Sequence, residues 1–183
     1  ACSSSIWHSW LCCSKDLEQV LRSLDDRTRS LRAERILWLS QHERLPPVLM
    51  GRAETLHLLR EAREVFVNGH FAATLVLAVA VIEHSLVEEL QLRGSIKTSP
   101  PLGKVLAIAE EAKVLPSEWF SPIRTLVQRR NPFAHLKEPD HEHALGARIV
   151  LEGEHPSRLL EEDAKVAAIW MYKVFRATLR EVA

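Results

Sequence analysis

The chain has 183 residues, 46% of them hydrophobic, with 24 basic side chains set against 24 acidic ones. That length and mix describe one ordinary globular domain with a real core. A net charge of zero excludes overall electrostatic attraction to nucleic acid, so any such binding must come from a local patch.

The three cysteines, Cys2, Cys12 and Cys13, all lie in the first thirteen residues. Adjacent cysteines rarely bridge and the count is odd, so the expectation is a reduced, cytoplasmic protein. Residues 1–14 lack the basic-then-apolar order of a signal peptide. They read as a disordered leader or an appended remnant, and 15–183 as a single helical domain. Helical periodicity dominates from there on. A first helix is expected over Lys15–His42, with the stripe Leu17, Val20, Leu21, Leu24, Thr28 and Leu31, stopping near Leu45-Pro46-Pro47. A second spans Arg52–Val67, turns Leu56, Leu59, Ala62 and Phe66 inward, and stops at Asn68-Gly69. A third spans His70–Leu92 and closes at Gly94. Its first half is apolar on nearly every face, which makes it central. The apolar run itself, Phe71–Ile82, is shorter than the roughly 20 residues that a bilayer requires. No membrane is expected among its partners.

After Pro100-Pro101 a fourth helix is expected over Leu102–Lys113, with Val105, Leu106 and Ala109 apolar. A fifth starts near Ser117 as N-cap. The segment Glu142–Leu151 fits helix or strand. A last helix runs Ser157–Glu181, with Leu160, Ala164, Ala167, Met171, Val174 and Thr178 on one face. The fold class is all-α, a bundle of five to seven helices.

The fifth helix runs into Arg130-Asn131-Pro132-Phe133-Ala134-His135. At 3.6 residues per turn, Trp119, Ile123, Leu126 and Arg130 share one stripe, while Arg129 points away from it. An arginine that continues an apolar stripe needs an anion, because an unpaired buried charge is costly. Glu83 is the protein candidate, since it follows the apolar run of the central helix. Such a pair would steady the guanidinium and leave donors for phosphate. Pro132 biases Asn131 out of helical geometry, so the chain should turn there and place His135 on a loop or at the next element's start, from where it can fold back beside Arg130. The plain alternative is a helix stop: arginine complements the dipole, asparagine caps, and proline follows. From Trp119 to Lys137 there is no Asp or Glu, and Arg124, Arg129, Arg130 and Lys137 form a basic patch. The alternative there is a basic helix end whose acid partners come from elsewhere in the fold.

This hexapeptide resembles the R-x4–6-H signature of the HEPN superfamily, including the asparagine that often follows its arginine. The apolar helix with an embedded acid, Val81-Ile82-Glu83-His84, is similar to a helix of that family, and the resemblance covers Phe71 to the C-terminus. It implies a small all-α domain that acts as a metal-independent endoribonuclease, with no cofactor. It also implies a homodimer in which two motifs meet across the axis. Toxin–antitoxin, abortive-infection and RNA-guided defence systems use such proteins, so an antitoxin or regulatory protein is a further expected partner. Some members are non-catalytic binding or dimerisation modules.

The implied chemistry is attack of a ribose 2′-OH on the adjacent phosphorus, giving a 2′,3′-cyclic phosphate and a 5′-hydroxyl. His135 would fill a proton-transfer role, Arg130 would stabilise phosphate charge, and Asn131 would orient one or the other. Glu83 supports Arg130, and Arg124, Arg129 and Lys137 would bind the RNA backbone. One histidine fills one proton role at a time, which is a chemical reason for two copies. DNA, which lacks the 2′-OH, should resist. Asp140, His141 and His143 near His135 match no closed zinc spacing, so no metal is expected. Trp38, Trp119 and Trp170 are expected in core or dimer contacts.

Overall fold

The computed structural model describes residues 14–43, 51–138 and 140–179. The three cysteines and the Leu45-Pro46-Pro47 stop lie outside them. Among the described residues seven α-helices follow in order: α1 Ser14–Ser40, α2 Ala53–Val67, α3 Phe71–Leu92, α4 Leu102–Glu111, α5 Phe120–Ala134, α6 Leu145–Glu152 and α7 Pro156–Thr178. A 3-10 turn, Ser117–Trp119, leads into α5, and no strand occurs among the described residues. The expectation of an all-α bundle is met.

α3 is the axis. Its side chains at Leu75, Ala78, Val79, Val81, Ile82, Leu86 and Leu90 have no solvent contact. Such a helix must be covered on several sides, and α7 and α2 pack along it most extensively, with α5 and α4 completing the sheath. By length and apolarity alone its 22 residues suffice to cross a bilayer. The short apolar run therefore decides nothing by itself; what distinguishes α3 is this packing against its neighbours. Phe66 of α2, Phe120 and Ile123 of α5, and Met171 and Tyr172 of α7 fill the space around α3. Each such burial contributes roughly 1.5–3 kcal/mol.

The α2–α3 corner is sharp because Gly69 adopts φ +81°. Its amide donates to the Phe66 carbonyl, closing the turn. A Cβ there would lie 2.9 Å from an Arg35 nitrogen, so glycine is required both by conformation and by space.

α1 departs from a simple bundle helix. Its 27 residues span about 40 Å, against about 22 Å for α2, so α1 outruns its neighbour. Among the described residues, its packing contacts come from its C-terminal part. Leu39 is buried, Trp38 packs against Phe66 at 5.2 Å between ring centroids, and Arg35 lies over Phe71 while donating to the Val67 carbonyl. Leu17, Leu21, Leu24 and Leu31, half of the expected stripe and more, face solvent.

Two smaller expectations are corrected. Ser117 is not the N-cap of α5: it opens the 3-10 turn, and Trp119 occupies the cap with no side-chain cap bond. The ambiguous segment after Glu142 is helical, as α6, which ends at Gly153 with φ +67°.

Candidate active site

The helix carrying the motif does not stop at Pro132. Asn131, Pro132, Phe133 and Ala134 all belong to α5, and the His135 amide donates to the Asn131 carbonyl at 2.8 Å. Proline removes only its own N–H and so forfeits a single bond to the residue four back. In a last turn that loss is tolerable, and the final bond of the helix survives it. His135 itself adopts extended geometry, φ −141° and ψ 130°, one residue past the helix. The expected fold-back beside Arg130 therefore does not occur: the bend lies three residues later than the proline rule placed it. His135 is exposed, and among the described residues no hydrogen bond or ion pair joins it to Arg130.

Arg130 is where the stripe placed it. Ile123 and Leu126 are fully buried, and one turn later the Arg130 side chain is 15% exposed. Its Nη2 lies 4.0 Å from Glu83 Oε2, so the acid of α3 does face the arginine of α5. The contact is long for an ion pair, and the Arg130 Nε is buried with no hydrogen-bond partner. The guanidinium is thus held loosely by one carboxylate and retains spare donors. Along the α5 axis, His135 lies five residues further on, about 7.5 Å away.

Two other arginines of the basic patch are neutralised from outside it. Arg124 pairs with Glu110 of α4. Arg129, expected to point outward to substrate, instead donates to Asp163 of α7 at 2.5 Å. Asp163 has no solvent exposure, and it also receives Arg148 of α6 at 2.5 Å. Arg148, itself buried, reaches Glu152 at 2.9 Å as well. Burial alone would lower the Arg148 guanidinium, but its hydrogen bonds to Asp163 and Glu152 outweigh that and hold it above its ordinary range. This Arg129–Asp163–Arg148 cluster ties α5, α6 and α7 together at the two ends of the loop that carries His135. The sequence held one signal for it. Asp163 interrupts the apolar face of α7 just before Ala164 and Ala167, the same sign that marked Glu83 on α3. Lys137 is exposed on the loop.

His141 and His143 lie in that loop with ring centroids 5.8 Å apart, and the His143 amide donates to His141 Nδ1 at 3.2 Å. Among the described residues, no three His, Cys, Asp or Glu side chains gather as metal ligands. Trp119 and Trp170 pack edge to face at 5.5 Å, with the Lys173 ammonium 4.4 Å from the Trp170 ring. Comparison with protein-family models, with curated proteins and with solved structures found no match to this chain.

Proposed function

We propose that this protein is a metal-independent, HEPN-like endoribonuclease in which Arg130 and His135 work on one phosphodiester, in a toxin–antitoxin or antiviral defence setting. The observation that carries the reading is the state of Arg130. It lies on the inner face of α5, is faced by Glu83 across 4.0 Å, and keeps an unpartnered Nε. A solvent-open histidine follows about 7.5 Å along the axis. That spacing leaves room for substrate between the two groups, with Arg130 on the phosphate and His135 moving a proton.

The site is completed by a second copy. Neither the cleft of about 250 Å³ between α2, α3 and α7 nor the one of about 170 Å³ beside Gln41 and Lys173 includes a motif residue. Phe133 in the motif, Leu136 just after it, and Val150 and Leu151 of α6 are exposed apolar side chains. They offer a contact face that would bring two His135 side chains into one groove, one as base and one as acid.

Labelled single-stranded RNA incubated in EDTA tests this. The wild type should cleave it, leaving 2′,3′-cyclic phosphate ends, and Arg130→Ala and His135→Ala should each lose about 100-fold or more in rate while keeping native helicity. An inert wild type, or variants that cleave as the wild type does, overturns the assignment. A second reading, a non-catalytic dimerisation module, is favoured by the occupied state of Arg124 and Arg129, which takes both away from an RNA backbone. It predicts RNA left intact by a stable dimer.

A further inference from the structure

A second site lies at the other side of α3, independent of the motif. The cleft of about 250 Å³ sits between the start of α2, the last turns of α3 and the end of α7. Leu92, Phe175 and Leu179 form its apolar wall, and the polar residues Thr55, Ser85, Glu88, Glu89 and Thr178 line the rest. Ser85 is 4% exposed, and its hydroxyl has no hydrogen-bond partner. A buried hydroxyl left unpaired costs free energy, so its place on a cleft wall marks a partner to be supplied from outside. Glu88 is half-buried and accepts from the Thr55 hydroxyl at 2.5 Å and from the Arg52 amide at 3.3 Å. Among the described residues no cation pairs with it, whereas the neighbouring Glu89 carboxylate is bonded to Arg93 at 2.6 Å.

We infer that this cleft binds a small aliphatic primary ammonium, with the charged head on Glu88, Ser85 and Thr55 and the alkyl stem against Leu92, Phe175 and Leu179. The chemistry selects that class. A carboxylate offers about four lone-pair sites, and two on Glu88 are used; an ammonium brings three donors and the missing charge. Anions are excluded by Glu88 and Glu89. At roughly 30 Å³ per water-sized group, the volume holds about eight non-hydrogen atoms.

The entrance supplies a blocking variant. A side-chain Cβ at Gly51 would stand 3.7 Å from the Leu56 side chain and 3.9 Å from Glu88 Oε2, both ordinary contact distances. Gly51→Phe thus fills the mouth while leaving Glu88 in place. Calorimetric titration of the full chain with hexylamine, hexanol and hexanoate at neutral pH reads the proposal. Hexylamine should bind saturably and at least about tenfold tighter than hexanol, with hexanoate silent. Glu88→Gln should weaken it about tenfold or more, and Gly51→Phe should abolish it. Should Glu88→Gln fail to fold, Gly51→Phe and Ser85→Ala carry the same comparison. Equal binding of hexanol, unchanged binding by Gly51→Phe, or no saturation up to about 20 mM overturns it. So does binding of N-acetyl-lysine methylamide without binding of hexylamine, which would assign the cleft to a protein lysine.

Discussion

Asp163→Asn is the substitution that the structure prices most sharply. The carboxylate is completely buried and holds two guanidiniums, Arg129 on Oδ1 at 2.5 Å and Arg148 on Oδ2 at 2.5 Å. The amide keeps one acceptor but turns an NH₂ donor toward one of the arginines, donor against donor, and removes the charge. Removing one partner of a buried ion pair costs about 3–5 kcal/mol, mostly because the other charge stays buried. Two features set the loss near the lower bound. Arg129 is 32% exposed and keeps some hydration, and Arg148 keeps Glu152 at 2.9 Å. The expected loss is about 3 kcal/mol, or roughly 6–12 °C in Tm for a chain of this size. Urea unfolding followed by far-ultraviolet circular dichroism measures it, with the slope unchanged. The neutral double replacement Asp163→Leu with Arg148→Met should regain most of it, since a well-packed apolar pair avoids both desolvation costs. A loss under about 1 kcal/mol for Asp163→Asn would show that the cluster is not a buried tie, and the account of how α5, α6 and α7 are joined would fail.

Gly69→Ala forces a non-glycine residue into left-handed geometry and pushes its Cβ to 2.9 Å from Arg35, whereas Gly94→Ala meets nothing within 4 Å. Both should lose about 1–2 kcal/mol, with Gly69→Ala the larger, and equal losses in urea unfolding would refute the steric part. Tyr172 is the single tyrosine, and burial, then the nearby Glu43 carboxylate, pushes its phenol well above the usual range. The unfolded chain ionises near pH 10 and the folded one does not, so this contribution to stability is present below about pH 10 and is lost as pH rises further. Absorbance at the phenolate band should rise only together with loss of helix; ionisation near pH 10 in the folded chain would contradict the burial. Leu136→Glu, on the exposed loop beside the motif, should convert a dimer to a monomer by light scattering, and a wild type that is already monomeric would remove the composite site.

The sequence was most readable where local rules and tertiary packing agreed. Asn68-Gly69 ends α2 at Val67 as its turn chemistry demands, and the apolar girdle of α3 marks it as central. Even a long-range pair was legible: Glu83 and Arg130 are 47 residues apart, yet each is the charged continuation of an apolar stripe, and two such stripes in one core must meet. Reading failed where one rule was weighed without its competitor. The clash before Pro132 is real, but three remaining residues of helix and the bond to Asn131 outweigh it. The angle of Arg129 to the apolar stripe does not reveal its partner. Nothing local shows that α7 brings a buried Asp163 up to the flank of α5.

The contrast among the patch arginines bears on function more than the patch does. Arg124 and Arg129 are each bonded to an acid from another helix, and Arg129 has a direct bond at 2.5 Å to a carboxylate sealed from water. Giving either up to a phosphate would break an existing pair, and for Arg129 would leave the buried Asp163 with Arg148 alone. Arg130 differs. Its acid stands at 4.0 Å, and one of its donors is buried with no partner. The buried Nε is out of reach of substrate, so a phosphate would engage the terminal nitrogens, which the distant Glu83 leaves loosely paired while keeping the side chain from swinging away. Loss of Arg129 should therefore read out mainly as stability and loss of Arg130 mainly as phosphate handling. If instead the two truncations destabilise alike and leave RNA processing alike, Arg130 is one more structural tie, and the motif reduces to the end of a helix.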